Sequence, residues 1–202
     1  MLLLLSGASG AGKTSVRESI SGAVGDAIEA VELRHLGAVP ANPDIAWRQR
    51  MTERAVARAA ELAAQQRHLL LAGDPVAPGE VLAAPSAPSV DIAVCLLDVS
   101  AQVQRDRLRR RGDPESLLPQ HVAFADWLRR HAAHPRHMPH VLADGGWADM
   151  RWSRLNQMST DDWQITVIDS SPLSPADTSR LVLQWIRDAV SGRAPVFRRA
   201  TE

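Results

Sequence analysis

The chain has one cysteine, one lysine and no apolar run long enough to cross a bilayer. Each scarcity removes a class of protein. A lone Cys95 cannot close an internal disulfide, which fits a reducing cytoplasm rather than a disulfide-stapled secreted fold. The opening Met1-Leu2-Leu3-Leu4-Leu5 has no basic flank and breaks at Ser6, too short for a secretory h-region. No later stretch approaches the roughly 20 apolar residues of a membrane helix. A cytoplasmic protein without a membrane partner is expected. The formal net charge is zero, so no general field draws the chain to nucleic acid or acidic lipid.

What remains is an ordinary soluble composition. The 202 residues are 45% hydrophobic and 23% charged, enough for one compact domain with a sizeable core. Of 23 basic residues only Lys13 is lysine, against 22 arginines. A chain that uses arginine elsewhere has kept a compact ammonium at one place, where a planar guanidinium is no substitute.

That place is Gly7-Ala8-Ser9-Gly10-Ala11-Gly12-Lys13-Thr14. Leu2–Leu5 reads as a buried parallel strand, and Ser15–Val24 reads as the helix after a Gly-rich turn. Glycines at these positions let backbone N–H groups turn inward around a phosphate, and the helix contributes its positive end. In such a loop Lys13 reaches the β- and γ-phosphates and the Thr14 hydroxyl ligates Mg²⁺. The pattern therefore predicts a nucleoside triphosphate, ATP with Mg²⁺, held by Gly7, Ser9, Gly10, Ala11, Gly12, Lys13, Thr14 and Ser15.

Further strands are expected at Ala27–Leu33, His68–Ala72, Ile92–Asp98 and Gln164–Asp169. Helices are expected at about Asp44–Arg67, Ala101–Arg111, His121–His131 and Ala176–Val190, with a short one at Gly79–Ala84. Alternating strands and helices make parallel βαβ units and a layered α/β fold. The stretch 112–162 breaks the alternation and reads as a helical insertion that covers something. The tail from Gly192 is expected to fray. Mg²⁺ also needs an acid at a strand end. Asp74 is the first candidate and Asp98 the second, and either has the alternative role of a turn or cap residue.

The phosphate loop at the N-terminus and the chain length resemble the P-loop kinase group. That group includes nucleoside monophosphate, shikimate and gluconate kinases and chloramphenicol phosphotransferase. The resemblance implies a five-stranded parallel sheet of order 2-3-1-4-5 with helices on both faces. It implies a single domain over 1–192, with a substrate-binding helical region at about 34–67 and a lid or insertion at about 105–162. The tail is 193–202. Arg107-Leu108-Arg109-Arg110-Arg111 fits the Arg-hydrophobic-x-x-Arg of such lids. By resemblance Arg107 would lie against the adenine and Arg111 would meet charge developing on the phosphates. Ile168-Asp169-Ser170-Ser171-Pro172 resembles the loop bordering the adenine.

In this group the acceptor binds beyond the second strand. Glu32 and His35 are candidate bases for its hydroxyl, and Arg34 a partner for an anionic acceptor. Trp47 and Arg48 offer an aromatic face beside a bidentate donor. The duller alternative puts Trp47 in the core and leaves Arg50, Arg54 and Arg58 as a solvated stripe. His131, His134, His137 and His140 recur every three residues, but Pro135 and Pro139 prevent a helix from aligning them on a metal. The expected activity is transfer of the ATP γ-phosphate to a small molecule such as a nucleoside, nucleotide, sugar or antibiotic. The alternative is a nucleotide-dependent switch acting on a protein partner. With Lys13 the sole lysine, no Asn-Lys-x-Asp guanine motif exists, which argues against GTP signalling.

Overall fold

The first strand divides two cores between alternate residues. In a computed structural model, which describes residues 1–200, Leu2 and Leu4 face one side of the sheet with Leu69, Leu71, Ile92 and Val94. Leu3 and Leu5 face the other with Leu70, Ala72, Ala93, Cys95 and Leu97. Successive side chains alternate across a strand, so a sheet covered on both faces demands unbroken apolar runs. Each fully buried leucine here contributes about 1.5–3 kcal/mol.

The elements run β1 (Leu2–Ser6), α1 (Lys13–Ile20), β2 (Ile28–Val31), α2 (Ile45–Ala63), β3 (His68–Ala72), α3 (Pro78–Ala83), β4 (Ile92–Asp98), α4 (Ala101–Arg111), α5 (Leu118–Ala133), α6 (His140–Ala143), α7 (Ser153–Gln157), β5 (Thr166–Asp169) and α8 (Pro175–Val190). All strand pairs are parallel and the order is β2-β3-β1-β4-β5, as expected. Helices α2 and α3 cover the Leu2 face, while α1 and α8 cover the Leu3 face.

Boundaries shift where local bonds intervene. β2 ends at Val31 because Leu33–His35 winds into a 3₁₀ turn. α2 starts at Ile45 because Asp44 caps it, its Oδ1 accepting from the Trp47 N–H at 2.6 Å. α5 begins at Leu118, earlier than expected, with Pro119 at its first turn.

The stretch 112–162 forms α5, α6 and α7 and packs over the sheet: Trp127, Leu128, His131, Ala132 and Leu142 are buried. The fully buried Gln49 of α2 donates to the Leu142 carbonyl at 2.7 Å and accepts from the Trp147 N–H at 2.6 Å. The tail, expected to fray, is docked as far as Ala200. Phe197 bridges Ile92 antiparallel, and Arg198 pairs with Asp91 at 3.0 Å. Residues 201 and 202 lie outside the described part. Among the described residues, no helix is long and apolar enough to cross a membrane.

Candidate active site

The loop between β1 and α1 has a shape that glycine permits. Gly7 has φ 154, and a Cβ there would stand 2.6 Å from the Leu97 carbonyl oxygen, so the loop lies directly against β4. Gly12 caps α1 without a side chain, leaving the first-turn N–H groups for an anion. Lys13 is 4% exposed, and its Nζ donates to the Gly7 and Ala8 carbonyls at 2.7 and 2.9 Å. Burial lowers its pKa to about 8; Asp74 opposes that shift and Arg111 adds to it. Thr14 and Ser15 are exposed on the first turn of α1.

Around this loop opens a cavity of about 860 Å³, within the usual range for small-molecule sites. Ser9 to Ser15 form one wall; Arg107, Arg110 and Arg111 of α4 face it, and Leu173 adds an apolar patch. Arg107 is pinned across the carboxyl edge of the sheet. Its Nη1 donates to the Gly10 and Ala11 carbonyls and to Ser170 Oγ at 3.0 Å, and its Nη2 donates to the Ser170 carbonyl at 2.8 Å. Arg111 lines the same cavity while its Nε and Nη2 donate to both oxygens of Asp113 at 2.6 and 2.5 Å.

The carboxylates sort differently from expectation. Asp74 follows β3, accepts from the Leu33 N–H at 2.7 Å, and has its pKa raised by burial. Its charge acts on Lys13, although Asp74 itself lines neither cavity while its neighbour Gly73 lines the first. Asp98 is instead committed to Arg129, which donates to both its oxygens at 2.8 and 3.0 Å. Glu32 is 5% exposed and pairs with Arg17 at 3.0 Å and Arg34 at 2.5 Å. It packs over Gly73, where a Cβ would meet Glu32 Cγ at 2.6 Å.

A second cavity, of about 580 Å³, shares Ser9 with the first as a lining residue. Its walls are Arg48 of α2, Pro75 after β3, and Phe124, Asp126, Trp127 and Arg130 of α5, with His121, His137 and Met138 at its sides. Of the expected acceptor residues only Arg48 lines it. Glu32, Arg34, His35 and Trp47 line neither cavity. His35 Nδ1 accepts from the Glu32 N–H at 3.1 Å, a capping bond. Trp47 Nε1 donates to the Ala38 carbonyl, with the ring against the core. Both are used locally because they sit in or beside the turn that reverses the chain after β2.

The histidine series also separates. His131 is fully buried, stacked on Trp127 with centroids 5.0 Å apart, and its Nε2 accepts from the Gly79 N–H at 3.1 Å. It serves the core and neither a metal nor the surface. No group of three potential metal-binding side chains occurs among the described residues.

Several site residues had no signature in the sequence. Gln104, fully buried one turn before Arg107, donates to the Ser9 carbonyl at 2.8 Å and the His121 carbonyl at 3.2 Å, joining the phosphate loop to α5. Glu80 is fully buried; its Oε1 accepts from Arg48 Nε and Nη2 at 2.9 and 2.8 Å, and its Oε2 from the Ala77 N–H. The capping position of Glu80, third in α3, was its one sequence signal.

Comparison with solved structures places this geometry. A sugar kinase from a Janibacter species aligns with TM-score 0.55 at 16% identity, over 94% of this chain and 96% of that one. The chain has the P-loop kinase fold. A gluconokinase from Sinorhizobium meliloti aligns with TM-score 0.51 at 19% identity, over 95% and 93%. A deoxyadenosine kinase from M. mycoides with bound dATP aligns with TM-score 0.50 at 14% identity, over 93% and 100%. No family model matches the chain, and no curated protein matches it in sequence. At these identities P-loop kinases share a scaffold with this chain, and function must be argued from its own site.

Proposed function

We propose that the protein is an ATP-dependent phosphotransferase that moves the γ-phosphate of Mg-ATP to a small-molecule hydroxyl. The observation that carries this reading is a second cavity that shares Ser9 of the phosphate loop with the first as a lining residue. An ATPase that signals to a protein needs only the first.

The loop amides and Lys13 would hold the β- and γ-phosphates, and the clamped Arg107 would border the base beside Leu173. Thr14 and Asp74 would hold Mg²⁺, which would offset the negative charge of the phosphates. In transfer the acceptor oxygen bonds to the γ-phosphorus as the bond to the ADP oxygen breaks, and the hydroxyl proton passes to a base. The titratable groups beside that position are His121, His137 and Asp126, which replace Glu32 and His35 as candidates. Arg111 would release Asp113 and meet the transferring phosphoryl group.

The deciding experiment is ATP consumption measured across a metabolite panel, with mass detection of products. Stimulation by one metabolite together with its phosphorylated mass is the expected result. A uniform slow hydrolysis unaffected by every metabolite would favour the switch and sink the kinase.

A further inference from the structure

The two cavities treat charge in opposite ways. In the first, Lys13, Arg107 and Arg110 have no carboxylate within ion-pair distance among the described residues, and only Arg111 is paired. Such a set suits a triphosphate. In the second, both arginines have a carboxylate partner. Arg48 gives Nε and Nη2 to the fully buried Glu80, and the exposed Arg130 pairs with Asp126 at 3.0 Å, a carboxylate that Arg129 also approaches at 3.4 Å. The formal charge of these four groups sums to zero, in a cavity of similar size and on the same loop.

The other walls are apolar or aromatic. Phe124 stacks on Trp127 with centroids 5.5 Å apart, and Pro75, Ala123, Met138 and Val141 complete the apolar surface. Among the described residues no protein acceptor takes Arg48 Nη1. It is a directional donor whose charge has been cancelled from behind. Gln120, His121 and His137 add further hydrogen-bonding groups. An anionic acceptor would have to displace Glu80 or Asp126 or remain desolvated without a counter-charge, which is costly. A flat ring, by contrast, gains from the aromatic wall.

We infer that the acceptor is an uncharged molecule with a planar aromatic body and a free hydroxyl, a class that excludes nucleoside monophosphates and sugar acids. This rests on the second cavity being the acceptor site of a phosphotransferase. Recognition would come from contact with the half-buried Phe124, which Trp127 backs, and one hydrogen bond from Arg48, with the hydroxyl turned toward Ser9.

The test is equilibrium binding to the full chain saturated with a non-hydrolysable ATP analogue and Mg²⁺, so that turnover is not required. The probes are matched pairs: thymidine and thymidine monophosphate, 4-hydroxybenzyl alcohol and 4-hydroxybenzoate, glucose and gluconate. The uncharged member of each aromatic pair should bind at least about tenfold tighter than its anion, with glucose binding weakly. Asp126→Asn, at a half-exposed position, leaves Arg130 unpaired and should reverse or erase the preference. Tighter binding of the anions by the wild type, equal binding within pairs, or no binding by any probe overturns the assignment. Phosphorylated mass from the same mixtures with ATP is read separately. Selective binding without transfer would sink the phosphotransferase reading while leaving the ligand class standing.

Discussion

Arg48 reaches from the wall of the second cavity to Glu80, a carboxylate with no solvent exposure, and gives it two nitrogens at 2.9 and 2.8 Å. The same Glu80 accepts the Ala77 N–H at the start of α3. One ion pair therefore joins α2, α3 and the cavity floor. Breaking a buried pair strands a charge, so Arg48→Met or Glu80→Leu alone should cost about 3 kcal/mol in denaturant unfolding. The double variant should cost less than the sum, because neither charge is then stranded. Additive losses would show the pair to be uncoupled.

Lys13 lies under 5% exposed, with its ammonium pulled down to about pKa 8 by burial. Phosphates would raise that value, so nucleotide binding above pH 8 must take up a proton. Affinity for Mg-ATP should fall as pH rises above about 8, by up to about tenfold per pH unit. Folding follows the opposite sign. Between about pH 8 and the ordinary lysine value of 10.5 the unfolded chain holds more protons, so this group makes the free protein more stable as pH rises. Lys13→Ala should abolish binding in calorimetry and flatten the folding trend above pH 8. Retained ATP affinity in that variant would refute the phosphate-loop assignment.

His131 is buried among Trp127, Trp163 and Gly79, and desolvation lowers its pKa from 6.5 to about 4. The unfolded chain therefore binds more protons between those values. The stability it confers is complete above pH 6.5 and is lost as pH falls toward 4, on the order of 3 kcal/mol in all. His131→Gln keeps an acceptor for the Gly79 N–H and removes the titration. Its unfolding free energy should be much flatter from pH 6.5 to 4.5, and an unchanged acid slope would assign that slope to other groups.

Arg111 is held by Asp113 at the edge of the nucleotide cavity. If it meets the transferring phosphoryl group, Arg111→Ala should lower kcat by about 100-fold or more while changing ATP affinity far less. Steady-state kinetics with an identified acceptor separates the two. Equal losses in binding and turnover would make it a ground-state contact only.

The parts legible in the sequence are those whose causes lie close together in the chain. Leu2–Leu5 had to be a doubly covered strand because no residue in it could face water. The run from Gly7 to Thr14 had to be an anion-binding turn because its glycines, lysine and helix start are contiguous. Glu32, Arg34 and His35 after β2 line neither cavity; a capping bond joins His35 to Glu32, and Glu32 pairs with Arg34 and with the more distant Arg17 of α1.

The sequence by itself determined the Gly-rich loop and the parallel α/β architecture, while the strand order was implied by the resemblance to P-loop kinases. It did so because backbone geometry and the two-residue period of strands are local properties. Only the tertiary structure decided where the second cavity lies. It takes Ser9, Arg48, Pro75 and the stretch 120–141 from distant parts of the chain, and its charge balance depends on Glu80 standing behind Arg48, 32 residues away. Side-chain packing across such distances follows from how the layers stack, which no window of sequence contains.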